Sequence, residues 1–203
     1  MPTNTAMPYL FLLGRPAVGK STVSKIILRV LELPAENYLP IDQAHHLLCN
    51  PDVHSPHFYY TPQGTLVFRD RAAVMREALE WLARAAQERR AQAPNVVPLL
   101  FEFAHYDYAA AFEVFGEGIT QHCAIMEVAA PLTVARERNL ARRAMDQVPE
   151  EWLQMAFAAD VSRLTELVAP ERFVRLQNEH RLSHRELEAR VREALQQLGL
   201  LSK

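Results

Sequence analysis

Eight consecutive residues near the start of the chain combine two glycines, a lysine and a hydroxyl side chain at a spacing that suits a phosphate group. Gly14 and Gly19 lack a Cβ atom, so the backbone between them can wrap around a phosphate and point successive N–H groups inward. Lys20 would bind the β- and γ-phosphates, and the Ser21 hydroxyl would bind Mg²⁺. We therefore predict that a nucleoside triphosphate contacts Gly14, Arg15, Pro16, Ala17, Val18, Gly19, Lys20, Ser21 and Thr22.

The residues on either side place this loop between a strand and a helix. Tyr9 to Leu13 is a continuous apolar run, which is typical of a buried parallel strand. After the loop, apolar residues recur at helical spacing from Val23 to Leu31, and Pro34 stops the pattern. A helix that begins at the loop offers unpaired N–H groups and the positive end of its dipole to an anion. The alternative, a glycine turn with an incidental lysine, would not need this context.

Strands and helices are predicted to alternate along the rest of the chain. Further apolar segments indicate strands at Tyr38–Ile41, Val96–Phe103, Cys123–Val128 and Phe173–Leu176. Helices are predicted at Phe68–Gln92, Asp107–Phe115, Pro131–Met145 and Glu150–Val168, and from a capping box at Ser183 toward Leu198. This order predicts a three-layer α/β/α fold in a single domain, 1–203, with a mostly parallel five-stranded sheet. Ligands of such sheets bind beyond the carboxyl ends of the strands.

With the phosphate-binding loop at such a strand end, the chain resembles the P-loop kinases among the P-loop NTPases. That group includes nucleoside-monophosphate kinases, kinases of shikimate, gluconate and chloramphenicol, and zeta-toxin-like kinases. The resemblance implies that ATP with Mg²⁺ and a small-molecule acceptor are bound, and that a helical lid closes over them. It places the acceptor-side loop at about residues 43–66 and the lid at about residues 136–150.

An arginine-rich segment is similar to the R-x-x-x-R-R pattern that begins the lid in these kinases. Arg138 and Arg142 are four residues apart, so they are expected to share one face of a helix. Guanidinium groups on a closing lid would neutralise the charge that develops on the transferring phosphoryl group. The alternative is a solvated basic helix that pairs locally with Glu137.

Asp42 follows the second predicted strand, where the group often places a carboxylate that binds the acceptor or takes the proton from its hydroxyl. A carboxylate beside the phosphate-binding loop is well placed to act on a hydroxyl that must lie in line with the γ-phosphate. The alternative is an N-cap for a helix that starts at Gln43, for which aspartate is well suited. The two roles are compatible.

Glu102 ends the third predicted strand, where the group carries the Walker-B carboxylate that holds Mg²⁺. The group has aspartate more often, and the residues after Glu102 do not match the nucleoside-monophosphate kinases. Asp107 is therefore an alternative to Glu102, or a cap for the next helix. The sequence leaves the identity of the acceptor open.

Composition narrows the classes of function. Apolar residues make up 49% of 203, enough for a core, and the formal net charge of −2 argues against non-specific binding to nucleic acid or acidic membranes. Cys49 and Cys123 belong to no metal-binding or disulfide pattern and are expected to be buried thiols. The apolar run Tyr9–Leu13 is too short for a signal peptide or a membrane span, so we expect a cytoplasmic protein without a membrane partner.

Together these features predict a phosphotransferase that moves the γ-phosphoryl group of ATP to a small molecule. The residues expected to act in catalysis are Lys20, Asp42, Arg138 and Arg142, and those expected to hold Mg²⁺ are Ser21 and Glu102. The alternative is an ATPase that hydrolyses or senses nucleotide without an acceptor. The guanine-reading N-K-x-D pattern of GTPases does not occur in the sequence.

Overall fold

All five predicted strands lie in one parallel sheet. The computed structural model describes residues 7–50, 55–61, 66–93, 98–143, 147–159, 162–179 and 182–202. Its strands are β1 (Tyr9–Leu13), β2 (Tyr38–Pro40), β3 (Phe58–Tyr60), β4 (Leu66–Phe68), β5 (Leu99–Glu102), β6 (Cys123–Ala129) and β7 (Phe173–Gln177). The sheet has the order β2-β5-β1-β6-β7, and every neighbouring pair is parallel.

Helices cover both faces of this sheet and give three layers. They are α1 (Lys20–Val30), α2 (Ile41–Leu48), α3 (Arg71–Gln92), α4 (Tyr108–Phe115), α5 (Glu117–Thr120), α6 (Leu132–Leu140), α7 (Glu150–Ala158) and α8 (His184–Gln197). One core cluster joins one face of the sheet to α2, α3 and α4, and a second joins the other face to α1 and α8. The predicted α/β/α class is therefore confirmed. Among the described helices, none combines the length and apolar character that a membrane crossing requires.

Helix caps explain where several of the helices begin. The side chain of Asp70 accepts a hydrogen bond from the backbone N–H of Ala73, so α3 starts at Arg71, three residues after the predicted Phe68. Ser183 and Glu186 form the predicted capping box at the start of α8, with each side chain accepting from the other residue's backbone N–H. Both cysteines are free and buried, as predicted.

The segment before α3 contains a small antiparallel hairpin that the sequence did not indicate. β3 pairs with β4, and Phe68, expected in a helix, is the last residue of β4. Residues 51–54 and 62–65 of the predicted acceptor-side loop lie outside the described residues. α2 covers the beginning of this segment, where the sequence indicates a short helix from Gln43 to Leu48, and β3 of the hairpin lies further along it.

The predicted lid helix is shorter than expected. α6 ends at Leu140, where Asn139 is buried and forms a reciprocal pair of hydrogen bonds with the backbone of Val148. This pair draws the chain back toward α6, and the next helix, α7, ends at Ala158 instead of the predicted Val168. Residues 144–146 of the predicted lid lie outside the described residues.

Candidate nucleotide and acceptor site

The loop between β1 and α1 has a backbone that requires its two glycines. Gly14 has φ 143°, and a Cβ atom there would lie 2.3 Å from the carbonyl oxygen of Val128. Gly19 has φ 99°, and its Cβ would lie 2.6 Å from the side-chain nitrogen of Asn178. Side chains are excluded at both positions by conformation and by contact. The loop thus has the tight backbone that the sequence motif predicts.

Lys20 is the first residue of α1 and folds its side chain back onto the loop. Its Nζ donates hydrogen bonds to the carbonyl oxygens of Gly14 and Arg15, each at 2.9 Å. Gly19 is the N-cap residue and offers no side chain to cap the helix, so the first N–H groups of α1 can bind an anion. The Arg15 side chain turns away toward α7, where it donates to the carbonyl of Ala159 at 3.0 Å.

The pKa of Lys20 shows which charges surround its ammonium group. Burial lowers this pKa to about 8, while the charges of Glu102 and Asp42 raise it and that of Arg142 lowers it. Glu102 is the last residue of β5, Asp42 lies in the first turn of α2, and Arg142 follows α6. The fold therefore brings four of the predicted site residues close enough to interact electrostatically.

Glu102 is buried at the end of β5 and binds two hydroxyl groups. Its Oε1 accepts a hydrogen bond from Ser21 at 3.0 Å, and its Oε2 accepts one from Tyr38. Burial, followed by the charge of Glu102, raises the pKa of Tyr38, so its hydroxyl stays protonated and donates. Asp107, the alternative carboxylate, is the N-cap of α4 and accepts from the backbone N–H of Ala110 at 3.1 Å.

Ser21 and Glu102 together suit a magnesium ion. A serine hydroxyl and a carboxylate oxygen are the hard oxygen ligands that Mg²⁺ prefers, and the ion keeps several waters besides them. Glu102 is only 7% exposed, and each of its oxygens accepts from a hydroxyl group. The donor set is thus compatible with a metal that binds through Ser21 and reaches Glu102 directly or through water.

Asp42 lies in the first turn of α2 and is exposed. The helix begins at Ile41, one residue before Asp42, and its N-cap position is Pro40. The expected cap for a helix starting at Gln43 is therefore wrong, although an acidic side chain in the first turn still favours the helix dipole. The charge of Asp42 acts on the pKa values of Lys20 and His45, which places the carboxylate on the loop side of α2.

The two lid arginines have different surroundings. Arg138 is half-buried and donates to the carbonyl of Val18 at 2.9 Å and to Oδ1 of Asn178 at 3.2 Å. Arg142 lies two residues beyond the end of α6 and is exposed, so the predicted common helix face is wrong. Arg138 therefore supports the loop between β1 and α1, while the charge of Arg142 reaches Lys20.

Three supporting residues were missed in the sequence, of which two hold the loop and one holds Glu102. Tyr108 accepts a hydrogen bond from the backbone N–H of Gly14 at 3.1 Å, and Asn178 donates to the carbonyl of Val18 at 2.7 Å. Tyr38 binds Glu102 from the neighbouring strand. Asn178 could have been identified as a candidate from the sequence, because it is a polar residue that lies just beyond the end of a predicted strand. Tyr38 and Tyr108 gave no such signal.

Near α2, the guanidinium of Arg71 contacts two aromatic rings from different elements. It lies over Phe68 of β4 and over Trp152 of α7. Its charge lowers the pKa of His45, after the larger effect of burial, so it faces α2. Arg71 thus connects the hairpin to the helix that follows the lid, on the side of the site where Asp42 lies.

No protein-family model matches the sequence, and no curated protein sequence matches it either. Solved structures do match. A sugar kinase from Janibacter sp. has a TM-score of 0.59 at 18% identity, covering 96% of this chain and 95% of its own. A putative kinase from Chloroflexus aurantiacus has a TM-score of 0.61 at 17% identity, and the match covers 92% of this chain and 98% of that kinase. A shikimate kinase from Bacteroides thetaiotaomicron has a TM-score of 0.56 at 14% identity, and the match covers 95% of this chain and 98% of that kinase. The chain therefore has the fold of the P-loop small-metabolite kinases.

Proposed function

We propose that this protein is an ATP-dependent phosphotransferase that moves the γ-phosphoryl group of ATP to a hydroxyl group of a small-molecule acceptor. The observation that best supports this proposal is the cluster of charged residues around Lys20, since the charges of Glu102, Asp42 and Arg142 all act on its pKa. Such a transfer needs four chemical groups: a cation that binds phosphate, a carboxylate that holds the metal, a carboxylate that meets the acceptor, and a second cation near the transferring group. Matching kinase folds support the same interpretation.

In the proposed reaction an oxygen of the acceptor forms a bond to the γ-phosphorus, and the bond from that phosphorus to the bridging β-γ oxygen breaks. ADP leaves with the electron pair of the broken bond. The carboxylate of Asp42 takes the proton of the attacking hydroxyl, since it is exposed to a ligand and lies on the loop side of α2. Lys20 and Arg142 stabilise the negative charge on the transferring group.

Mg²⁺, when bound, would neutralise charge on the β- and γ-phosphate oxygens. Ser21 and Glu102 are the residues that would hold it. The backbone of the loop positions the phosphates, because Tyr108, Asn178 and Arg138 fix its two ends through hydrogen bonds to Gly14 and Val18. Positioning of this kind is a large part of catalysis in phosphoryl transfer.

Measuring ADP release with and without a set of candidate hydroxylated metabolites tests this proposal. A kinase turns over slowly with ATP alone and much faster with its acceptor, and the phosphorylated product can be identified by mass spectrometry. ATP turnover that is unchanged by every acceptor, with inorganic phosphate as the product, would support the alternative of a nucleotide-hydrolysing protein.

Replacing Asp42 with asparagine should lower acceptor-dependent transfer by about 10²-fold, the size of a general-base contribution. The substitution keeps the shape of the side chain but removes its charge and basicity. ATP affinity and the melting temperature should stay close to those of the wild type, because Asp42 is exposed and is not the cap of α2. Glu36→Gln, an exposed acid at the other end of β2, is the matched control. Wild-type transfer in Asp42→Asn would assign the proton to another group.

ATP binding should weaken as the pH rises above about 8, the pKa of Lys20 in the free protein. Bound phosphate favours the charged ammonium and raises this pKa, so binding above pH 8 must take up a proton. Affinity then falls by up to about tenfold per pH unit until the pKa of the bound state is reached. Calorimetric titration at alkaline pH in two buffers of different ionisation enthalpy measures the proton uptake. Lys20→Ala should abolish it, and equal wild-type affinity on both sides of pH 8 would contradict the prediction.

A further inference from the structure

The buried carboxylate of Glu102 is held at both oxygens by hydroxyl groups from different elements. Ser21 of α1 donates to Oε1 at 3.0 Å, and Tyr38 of β2 donates to Oε2. The Ser24 hydroxyl of α1 lies 3.2 Å from the backbone carbonyl oxygen of Ser21 and 3.3 Å from the Tyr38 hydroxyl, and its single hydrogen can be donated to either of them. The four residues form a hydrogen-bonded cluster that joins α1, β2 and β5.

The register of the sheet explains why Tyr38 reaches this carboxylate. Tyr38 pairs with Leu100 and Pro40 pairs with Glu102, in parallel strands. Side chains two residues apart on a strand point to the same face, so Glu102 lies on the face of Leu100, which packs against α1. Tyr38 lies on the same face and packs against the same cluster, and its hydroxyl extends along that face to Glu102.

We propose that Tyr38 is a positioning residue for the metal-binding carboxylate. Glutamate has one more rotatable bond than aspartate, so an unrestrained Glu102 could direct either oxygen toward the metal position or neither. The bond from Tyr38 occupies Oε2 and leaves Oε1 as the oxygen beside Ser21. Partners of this kind orient metal ligands and raise metal affinity without contacting the metal. The inference rests on the proposed function, because it assigns Mg²⁺ to Ser21 and Glu102.

Tyr38→Phe keeps the ring but removes the donor to Oε2. That buried oxygen is then unsatisfied, and the carboxylate can turn to bond Ser21 through either oxygen. The Mg²⁺ concentration that gives half of the metal-dependent gain in ATP affinity should rise by about 10-fold to 100-fold, the usual effect of losing such a partner. Glu102→Asp shortens the side chain by one methylene, so the carboxylate can no longer reach Ser21 and Tyr38 together. In the Glu102→Asp background, Tyr38→Phe should therefore change the Mg²⁺ requirement very little.

The experiment measures ATP affinity by calorimetry over a range of Mg²⁺ concentrations for the wild type, the two single variants and the double variant. Electron paramagnetic resonance with Mn²⁺ gives a second readout that needs no turnover. Tyr9→Phe is the matched control, since Tyr9 is buried on the other face of the sheet, in the core cluster that does not contain Tyr38. Thermal melts of all variants separate a change in metal binding from a loss of stability.

Two results overturn the inference while leaving the proposed function intact. The first is an unchanged Mg²⁺ requirement in Tyr38→Phe when the wild type shows metal-dependent ATP binding. The second is a shift of the same size whether Tyr38→Phe is made in the wild type or in the Glu102→Asp variant, which would mean that Tyr38 acts through packing and not through the carboxylate. If the wild type binds no ATP at any Mg²⁺ concentration, the proposed function fails and the inference fails with it.

Discussion

Replacing Lys20 with alanine is expected to lower acceptor-dependent turnover by about 10³-fold, at the upper end of the range for losing one preorganised group that stabilises a transition state. Lys20 is the first residue of α1, and its ammonium group is already held inside the loop by the carbonyl oxygens of Gly14 and Arg15. A bound γ-phosphate would take the place of those carbonyls as the partner of the charge. The variant should also bind ATP more weakly.

The same substitution should not lower the melting temperature. Burial depresses the pKa of Lys20 to about 8, so the folded chain binds fewer protons than the unfolded chain between pH 8 and the ordinary lysine range. Stability contributed by this residue therefore rises with pH through that window, and the charged form is a cost to folding at neutral pH. Removing the side chain removes this cost together with two hydrogen bonds.

Lys25→Ala is the control, because Lys25 is exposed on the same helix and carries the same charge. Kinetics with the identified acceptor, calorimetric ATP titration and a thermal melt are the three measurements. Wild-type turnover and affinity in Lys20→Ala would rule out the loop as the phosphate-binding site. A collapse of stability would show that Lys20 is structural.

The sequence predicted the bounds of four of the five strands in the parallel sheet to within one residue, and the exception was β5. β1 matches its predicted bounds, and β6 and β7 differ from theirs by one residue at one end. Short strands were harder, since β3 and β4 have three residues each and their pairing comes from contacts between segments. The two long helices predicted around residues 131–168 are both shorter in the structure, and the pair of hydrogen bonds between Asn139 and Val148 accompanies the end of the first one.

For the candidate site, the sequence indicated the residues that stand just after strands but not those that support them. Gly14, Asp42 and Glu102 follow or end predicted strands, and such positions converge at one edge of a parallel sheet. Tyr38 reaches Glu102 only because β2 lies beside β5, and this strand order is not encoded in local spacing. Tyr108 depends in the same way on the packing of α4 against the loop. Local patterns thus identify candidates for chemistry, whereas their hydrogen-bonding partners depend on tertiary topology.

The arginine segment shows that the spacing of a motif does not by itself determine the geometry of its residues. Spacing of four predicts a common face only if the helix continues through both residues. Here α6 ends between them, so Arg138 stays on the helix and binds Val18, while Arg142 lies in the following segment. The two residues are therefore expected to differ in role, although the motif treats them alike.

Arg142→Ala is expected to lower the rate of the phosphoryl-transfer step by about 10³-fold, as for an arginine that stabilises the transferring group. Arg142 is exposed, and its charge lowers the pKa of Lys20, so it lies within electrostatic reach of the loop without being needed for packing. ATP affinity and the melting temperature should change little. Arg143→Ala, an exposed neighbour with the same charge, is the control.

Arg138→Ala should give the opposite pattern, with weaker ATP binding and lower stability but a smaller effect on the transfer step. Its guanidinium donates charge-assisted hydrogen bonds to Val18 and Asn178, and such bonds contribute about 1.5–3 kcal/mol each to stability. Single-turnover kinetics with saturating ATP isolate the transfer step. ATP titration measures the affinity of the loop for nucleotide, and the thermal melt measures the stability that Arg138 contributes.

If Arg142→Ala transfers phosphate at the wild-type single-turnover rate, the segment after α6 is a solvated basic region and not a catalytic lid. If Arg138→Ala instead loses the transfer step with affinity and stability intact, Arg138 must leave Val18 and contact the phosphates when nucleotide binds.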